Sequence, residues 1–339
     1  MNDRPARVIG IGASAGGVDA LGKVVAGLPA DLPHAVLIVL HLSATGRSML
    51  PGILDRVCAL PVRAAEQGEP LRRGTILVAP PDRHLLAVDG HVTLTAGPKE
   101  NASRPAVDPM LRSLASAFGP AAVAVILSGA LGDGSNGALA VADAGGTVLV
   151  QDPADALVTS MPERALAAVG ERVHLALPAG ELGRALAELP ARKTNMREHA
   201  FMDMPGDPVE ASRHRPEGPA SGFTCPECSG ALWQLREGES MRYRCRVGHA
   251  YSEDAMLVEQ GTAVEAALWA ALEVLEERAE MLRDMAERRA RLHPRTRRRL
   301  EASAAEALER GELIRRALGD GRPHDSLVLG DADMLGGSS

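Results

Sequence analysis

The chain has 339 residues, 45% of them hydrophobic, and a formal net charge of −7 at pH 7. This length accommodates one large domain and a smaller one, and the acidic balance argues against a general nucleic-acid binder. The chain lacks a signal-peptide pattern and an apolar run approaching about 18 residues, so we expect a cytoplasmic protein without membrane insertion.

Residues 7–190 alternate strand and helix patterns, with near-continuous Val, Ile and Leu runs in the strands. This alternation predicts an α/β fold, a doubly wound and mostly parallel sheet with helices on both faces. The predicted strands are 7–12, 35–40, 75–79, 121–127, 146–150 and 173–177, and the predicted helices are 17–28, 48–59, 108–118, 136–144, 162–169 and 180–189. Asp89-Gly90, between two strand-like runs, predicts one antiparallel hairpin. Asp108-Pro109 is typical of a helix cap followed by proline at the first helical position.

A glycine-rich segment follows the first predicted strand. Gly12-Ala13-Ser14-Ala15-Gly16 fits G-x-S-x-G, the turn that exposes a nucleophilic serine above a sheet. The overlapping segment 10–15 also fits the pyrophosphate turn of a dinucleotide-binding fold, which needs an acidic residue after the next strand. That strand ends at His41, a poor ribose anchor and a good base for a serine. The hydrolase interpretation is therefore favoured, and a purely structural turn remains a third alternative.

Ser14, His41 and Asp133 each follow the carboxyl end of a predicted strand. These ends meet at one edge of a parallel sheet, so the three side chains can supply a nucleophile, a base and an orienting carboxylate. Their chain order differs from that of α/β-hydrolases. Each also has a structural interpretation, since Ser14 could cap a helix, His41 could be a buried histidine and Asp133 could be a turn residue. His84 is a reserve base.

The first 190 residues contain a series of short motifs. They are Gly12-Ala13-Ser14-Ala15-Gly16-Gly17, Leu40-His41-Leu42, the segment 78–85, Arg104-Pro105-Ala106-Val107-Asp108, Leu127-Ser128-Gly129 with Asp133-Gly134, Gly145-Gly146-Thr147, Gln151-Asp152-Pro153 and Met161-Pro162. In this order they resemble the catalytic domain of bacterial chemotaxis protein-glutamate methylesterases, the CheB family. The resemblance extends in register over roughly residues 6–190.

The resemblance implies that Ser14 is the nucleophile, His41 the base and Asp133 the orienting acid, without a catalytic cofactor. The implied reaction is hydrolysis of glutamyl γ-methyl esters on methylated chemoreceptors or similar helical signalling proteins, through an acyl-enzyme, together with deamidation of glutamines. Two alternatives stay open. The chain could be a signalling adaptor that kept the fold without catalysis, or a hydrolase of another ester or amide.

The resemblance also places Ala15, Gly16, Ala130 and Arg104 in the oxyanion and substrate loops. Ala15 stands where the family usually has threonine, and Ala130-Leu131 replaces a position often held by methionine. Both changes affect the expected oxyanion geometry rather than the triad. The first predicted strand starts by residue 7, so we expect no receiver domain in front and no regulation by phosphorylation in cis.

Three of the four cysteines cluster with a histidine near the C-terminal third. Cys225-x₂-Cys228 and Cys245-x₃-His249 are separated by 16 residues, a spacing typical of a closed Cys₃His zinc site. We therefore predict a zinc-ribbon-like module over 223–252 that holds structural zinc; the alternative is reduced cysteines packed in a small core. Cys58 lies on an apolar helical pattern and is expected to be buried filler.

The remaining segments complete the predicted domain organisation. Residues 191–222 have no sustained period and indicate a linker between the catalytic domain (1–190) and the cysteine module. Residues 253–317 predict a helical hairpin or coiled coil broken at His293-Pro294, through which the chain could form a homo-oligomer. Residues 318–339 predict a disordered tail.

Overall fold

The structure is a computed structural model that describes residues 3–41, 48–192, 216–237, 240–288 and 294–319. The chain divides into two compact units, Met1–Met256 and Leu257–Ser339. None of the helices within these described ranges is long and apolar enough to cross a membrane.

The first unit contains three sheets and six α-helices in its described residues. The strands are β1 (Val8–Ala13), β2 (Ala35–Leu40), β3 (Val62–Ala64), β4 (Thr75–Val78), β5 (His84–Val88), β6 (His91–Thr95), β7 (Ala122–Ile126), β8 (Thr147–Gln151), β9 (Leu175–Leu177), β10 (Ala220–Thr224), β11 (Ala231–Glu237), β12 (Ser240–Cys245) and β13 (Ala250–Ser252). The helices are α1 (Gly17–Ala26), α2 (Leu50–Asp55), α3 (Val107–Phe118), α4 (Ser135–Asp143), α5 (Ser160–Val169) and α6 (Ala179–Ala187).

The large sheet has seven parallel strands in the order β3-β4-β2-β1-β7-β8-β9. The predicted mostly parallel α/β sheet is thereby confirmed, and the predicted hairpin is the antiparallel pair β5-β6. Helices cover both faces, because alternate residues of the central strands enter different cores. Val8 packs in the core that contains α3, α4 and α5, whereas Ile9 packs in the core that contains α1, α2 and α6. Burial on both faces explains the near-continuous apolar runs.

Gly10 and Gly12 lie inside β1, and the close approach of α3 requires both. A Cβ at Gly12 would lie 2.3 Å from the side chain of Val107, and one at Gly10 would lie 2.7 Å from that of Leu111. These glycines therefore serve helix-to-strand packing. The alternative of a pyrophosphate turn is wrong for this segment, because that turn must follow the strand rather than lie within it.

Strands β10–β13 form a four-stranded antiparallel sheet in the first unit. It begins at Ala220, before the predicted start of the cysteine module, and most of the predicted linker lies outside the described residues. Both helices of the predicted C-terminal pair are present: α7 (Glu253–Arg288) and α8 (Pro294–Gly319). They contact each other, since a Cβ at Gly311 would lie 3.4 Å from Leu272. The predicted tail lies outside the described residues from 320 onward.

Candidate active site

Ser14 follows β1 in a crowded turn. Its amide N–H donates to the Ser128 carbonyl at 3.0 Å, and a Cβ at Gly129 would lie 2.9 Å from the Ser14 Cβ. The N-cap of α1 is Gly16, with φ of 75°, and no side chain caps the helix. The structural alternative for Ser14, a helix cap, therefore does not hold, and its partly exposed side chain lies at the carboxyl edge of the sheet.

His41 directly follows β2, the strand next to β1, and so lies beside the turn that contains Ser14. The parallel register pairs Ala13 with Leu40, and the amide of His41 donates to the Ala13 carbonyl at 3.1 Å. The imidazole of His41 contacts Asp133, the third predicted residue of the site. His41 Nε2 lies 2.6 Å from Oδ2 of Asp133. The His41 side chain is 17% exposed, whereas that of Asp133 is 1% exposed. The imidazole is thus open to solvent on one side and held by a buried carboxylate on the other.

Asp133 is surrounded by hydrogen-bond donors at the N-terminus of α3. Its carboxylate accepts the amide N–H of Val107 at 2.6 Å and that of Asp108 at 3.1 Å. Asn101 Nδ2 donates to Oδ1 at 3.1 Å. Burial alone would raise the pKa of Asp133, but hydrogen bonds from His41 and the two helix amides lower it below its usual value. The carboxylate is therefore ionised at neutral pH and can fix the imidazole.

Asp108 corrects one prediction and adds a residue that the sequence analysis did not assign to the site. It does not cap its own helix, which begins at Val107 after Ala106. Its Oδ1 instead accepts the amides of Gly134 and Gly137, at 3.0 and 2.7 Å, at the start of α4. Burial first, and the charge of Asp133 second, raise the pKa of Asp108 to about 7.

Asn101 is the second unpredicted residue of this cluster, and no local sequence signal marks it. The position of Asp108 offered a partial signal, since a carboxylate in the first turn of a helix commonly binds backbone amides. The Asn101 segment has no regular structure, and its position follows from contacts with residues about 150 positions further along the chain. Those contacts cannot be deduced from local pattern.

His84 and Arg104 are held by structural contacts. His84 is buried, with Nε2 2.9 Å from the Pro98 carbonyl, and its Nδ1 accepts the Ala106 amide at 3.3 Å. Both ring nitrogens of His84 thus have hydrogen-bond partners, which does not favour His84 as an alternative catalytic base. Arg104 forms an ion pair with Asp82 at 2.5 Å and donates to two nearby carbonyls.

The expected oxyanion segments border Ser14. Ala15 and Ala130 are exposed, and Gly16 is half-buried. The amides of Ala15 and Gly16, at the start of α1, make no hydrogen bond to other residues in the described part of the chain. Amides just before a helix are typical donors to an anionic oxygen. An alcohol, an imidazole and an ionised carboxylate at one sheet edge, with amide donors alongside, suit nucleophilic acyl transfer.

The four residues of the cysteine cluster converge in the second sheet. Cys225, Cys228, Cys245 and His249 offer ligand atoms that all lie within 4.8 Å of one another. The Cys228 and Cys245 sulfurs are 3.6 Å apart, and His249 Nδ1 lies 3.7 and 3.6 Å from the Cys225 and Cys245 sulfurs. The other imidazole nitrogen, Nε2, lies 3.1 Å from Glu227. This is a set that could hold a metal ion. Cys58 lies apart from it and is partly buried.

Comparison with known proteins identifies a family over the first half of the chain. A family model described as CheB methylesterase matches residues 9–186. A protein-glutamate methylesterase/protein-glutamine glutaminase of Anaeromyxobacter dehalogenans is 40% identical over 182 residues, which cover 54% of this chain and 53% of the relative. One from Paramagnetospirillum magneticum is 38% identical, covering 56% and 50%. The chain spans about half the length of these curated relatives.

A solved structure is also similar. The CheB methylesterase catalytic domain of Thermotoga maritima shares 34% sequence identity with this chain at a TM-score of 0.52. The match covers 98% of that domain and 54% of this chain. The β10–β13 sheet and the C-terminal helices lie beyond the residues that the family model matches.

Proposed function

Because the chain belongs to the CheB methylesterase family, we propose that it is a serine hydrolase that demethylates glutamyl γ-methyl esters on chemoreceptor-like helical proteins. The names of its relatives pair this activity with that of a protein-glutamine glutaminase, which supports glutamine deamidation as a second reaction. The observation that carries the proposal is the 2.6 Å contact between His41 and Asp133, with Ser14 next to His41 across the β1–β2 pair.

In the proposed mechanism His41 takes the hydroxyl proton of Ser14 as the serine oxygen attacks the ester carbonyl. Asp133 holds Nε2 of His41, so Nδ1 is the nitrogen that receives this proton. The negative charge of Asp133 stabilises the imidazolium that forms. Amides of Ala15 and Gly16 stabilise the oxyanion, and one such donor contributes about 3 kcal/mol. Methanol leaves with the proton from His41, and water then hydrolyses the acyl-enzyme.

Replacement of Ser14 tests this proposal. Ser14→Ala should abolish methanol release from a synthetic helical peptide bearing one glutamate γ-methyl ester, and should also abolish labelling by a fluorophosphonate. Loss of a triad serine lowers kcat by up to about 10⁶-fold. Ser48→Ala is the matched control: Ser48 Oγ accepts the Leu50 amide at the start of α2, so its loss should reduce stability but not activity.

The outcomes separate the three functional hypotheses. Wild-type rates in Ser14→Ala would contradict the triad. Labelling of Ser14 without methanol release would favour a hydrolase of another ester or amide. Neither labelling nor release in the wild-type chain would favour an adaptor without catalysis.

For the cysteine cluster we infer a structural zinc ion held by Cys225, Cys228, Cys245 and His249 in a zinc-ribbon-like module. In a tetrahedral zinc site, sulfur atoms lie about 3.8 Å apart, and sulfur and nitrogen about 3.6 Å apart. The separations in this cluster agree with those values. Glu227 would orient the imidazole of His249 in the way that carboxylates support zinc-bound histidines. Elemental analysis should find about one zinc per chain; a metal-free chain with the same fold would contradict the inference.

A further inference from the structure

The cysteine module is joined to the catalytic sheet domain by backbone pairing. The amide of Asn101 donates to the Ala250 carbonyl at 2.8 Å, and the amide of Ala250 donates to the Lys99 carbonyl at 3.3 Å. Ala250 belongs to β13 and directly follows His249 of the metal cluster. A Cβ at Gly248 would lie 2.7 Å from Pro98, so the two segments are in close contact. Residues 98–101 thus lie along the edge of the β10–β13 sheet.

The side chain of Asn101 extends this link to the catalytic carboxylates. Its Oδ1 accepts the Ser252 amide at 2.9 Å. Its Nδ2 donates to Asp133 at 3.1 Å and to Asp108 at 3.3 Å. Asn101 is 8% exposed, so water has little access to these groups. One buried amide therefore joins β13 to the carboxylate that holds His41.

The orientation of the Asn101 side-chain amide determines whether a hydrogen-bond donor or an acceptor faces Asp133. An asparagine amide has a donor side and an acceptor side, and only the donor side is compatible with the ionised carboxylate of Asp133. The amide of Ser252 can bond to the oxygen of Asn101 but not to its nitrogen, so β13 fixes the donor side towards Asp133. Without β13, Lys99 and Asn101 lose their backbone hydrogen bonds with Ala250. The side-chain amide of Asn101 also loses the Ser252 contact that orients it.

We propose that Asn101 is a positioning residue through which the metal-loaded cysteine module orients Asp133 and thereby sets the rate of hydrolysis. The proposal rests on the serine hydrolase function proposed above. It assigns to the cysteine module a role in catalysis that the positions of the triad residues alone do not indicate. A bound metal would be held by Cys245 and His249, on either side of the turn that leads into β13, and would thereby fix β13; β13 holds Asn101, and Asn101 holds Asp133.

The first test replaces the donor side of Asn101. Asn101→Asp keeps an oxygen for the Ser252 amide but directs its second oxygen at the ionised carboxylate of Asp133. The expected result is a fall in kcat of up to about 100-fold, with KM for the methyl-ester peptide unchanged within twofold. Lys99→Ala is the matched control, since the Lys99–Glu227 ion pair joins the same two segments at 2.6 Å without reaching Asp133. That variant should keep its kcat, and an equal loss in both variants would overturn the proposal.

The second test asks whether the metal acts through Asn101. Cys228→Ser and Asn101→Ala should each slow fluorophosphonate labelling of Ser14, and the double variant should be no slower than the slower single variant. Removal of metal from the wild-type chain by a chelator gives the same comparison if Cys228→Ser does not fold. Removal of metal should also speed amide hydrogen exchange at residues 98–108 while leaving the amides of β1 and β2 protected. Effects that multiply, or exchange that does not change, would overturn the proposal.

The two proposals fail differently. If the wild-type chain is labelled at Ser14 and the Asn101 variants match it, the positioning role is wrong and the hydrolase function stands. If the wild-type chain is not labelled at Ser14, the hydrolase function is wrong and the positioning role is lost with it.

Discussion

Two buried carboxylates with opposite pKa shifts define the candidate site at the scale of single residues. Asp133 accepts hydrogen bonds from His41 and two helix amides, and its pKa is lowered. Asp108 lies in the same cluster and has its pKa raised to about 7, because burial and the Asp133 charge both favour its protonated form. Such a separation is typical of paired carboxyl groups that perform different tasks. In the proposed mechanism Asp133 orients the base, while Asp108 binds the amides of Gly134 and Gly137 next to Asp133.

The raised pKa of Asp108 predicts a pH-dependent stability. The folded state keeps the Asp108 proton up to about pH 7, whereas the unfolded chain releases it near pH 3.8. Stability therefore falls as the pH rises through this window. Asp108→Asn cannot ionise, and its oxygen can still accept the amides of Gly134 and Gly137. Relative to the wild-type chain, the variant should gain a few kcal/mol between pH 4.5 and pH 8, measured by urea unfolding.

A matched variant isolates this effect. Asp19 is exposed and forms an (i, i+4) ion pair with Lys23 on α1. Asp19→Asn should therefore change stability by less than about 0.5 kcal/mol relative to wild type at both pH values. An Asp108→Asn difference that is the same at pH 4.5 and pH 8 would show that Asp108 is ionised throughout this range.

At the scale of elements, the packing of α3 against β1 determines the position of the α3 amides that bind Asp133. Gly12→Ala would place a methyl group within 2.3 Å of Val107, whose amide binds Asp133. Helix α3 must then move away from the sheet, so we expect a loss of about 1–3 kcal/mol together with slower labelling of Ser14. Gly22→Ala on α1 is the control, because its Cβ meets nothing within 4 Å. It should be neutral or stabilising by up to about 1 kcal/mol. Equal stability of both variants would contradict this account.

The elements also show what sequence pattern could predict. The central strands are buried on both faces, so their apolar runs and the parallel sheet could be predicted. Sequence pattern does not indicate β3, because two of its three residues are exposed. Sequence pattern predicts that Asp108 caps its own helix, α3, whereas in the structure it binds amides at the start of α4, 26 and 29 positions away in the chain. Local pattern identifies a capping residue but not the helix that it caps.

The same limit applies to the site. Ser14, His41 and Asp133 could be proposed because topology brings strand ends together; in the structure His41 follows β2, the strand next to β1, and contacts Asp133. Asn101 could not be proposed. Its position depends on β13, which lies about 150 residues away and pairs with an irregular segment.

At the scale of the whole molecule, the cysteine module belongs to the same compact unit as the seven-stranded sheet. Glu100 supports this connection, since its buried carboxylate pairs with Arg112 on α3 at 2.7 Å and with Arg242 on β12 at 2.5 Å. Burial alone would raise the pKa of Glu100, but the two arginines lower it to about 2. A carboxylate between two guanidinium groups is costly to separate once buried. The module is therefore an integrated part of the first unit rather than a tethered addition.

This organisation predicts different outcomes for two truncations. A chain ending at residue 256 retains the triad, Asn101, Glu100 and all four cysteine-cluster residues, so Ser14 should be labelled at the full-chain rate within twofold. A chain ending at residue 192 lacks Arg242 and Ser252, which leaves Glu100 with one arginine and Asn101 without its β13 contact. It should unfold at a lower temperature and be labelled more slowly, as measured by thermal unfolding and by the labelling rate at matched folded fraction. If the shorter chain were labelled as fast as the longer one, the cysteine module would have no part in arranging the site. If the longer chain were inactive, catalysis would require the C-terminal helices as well.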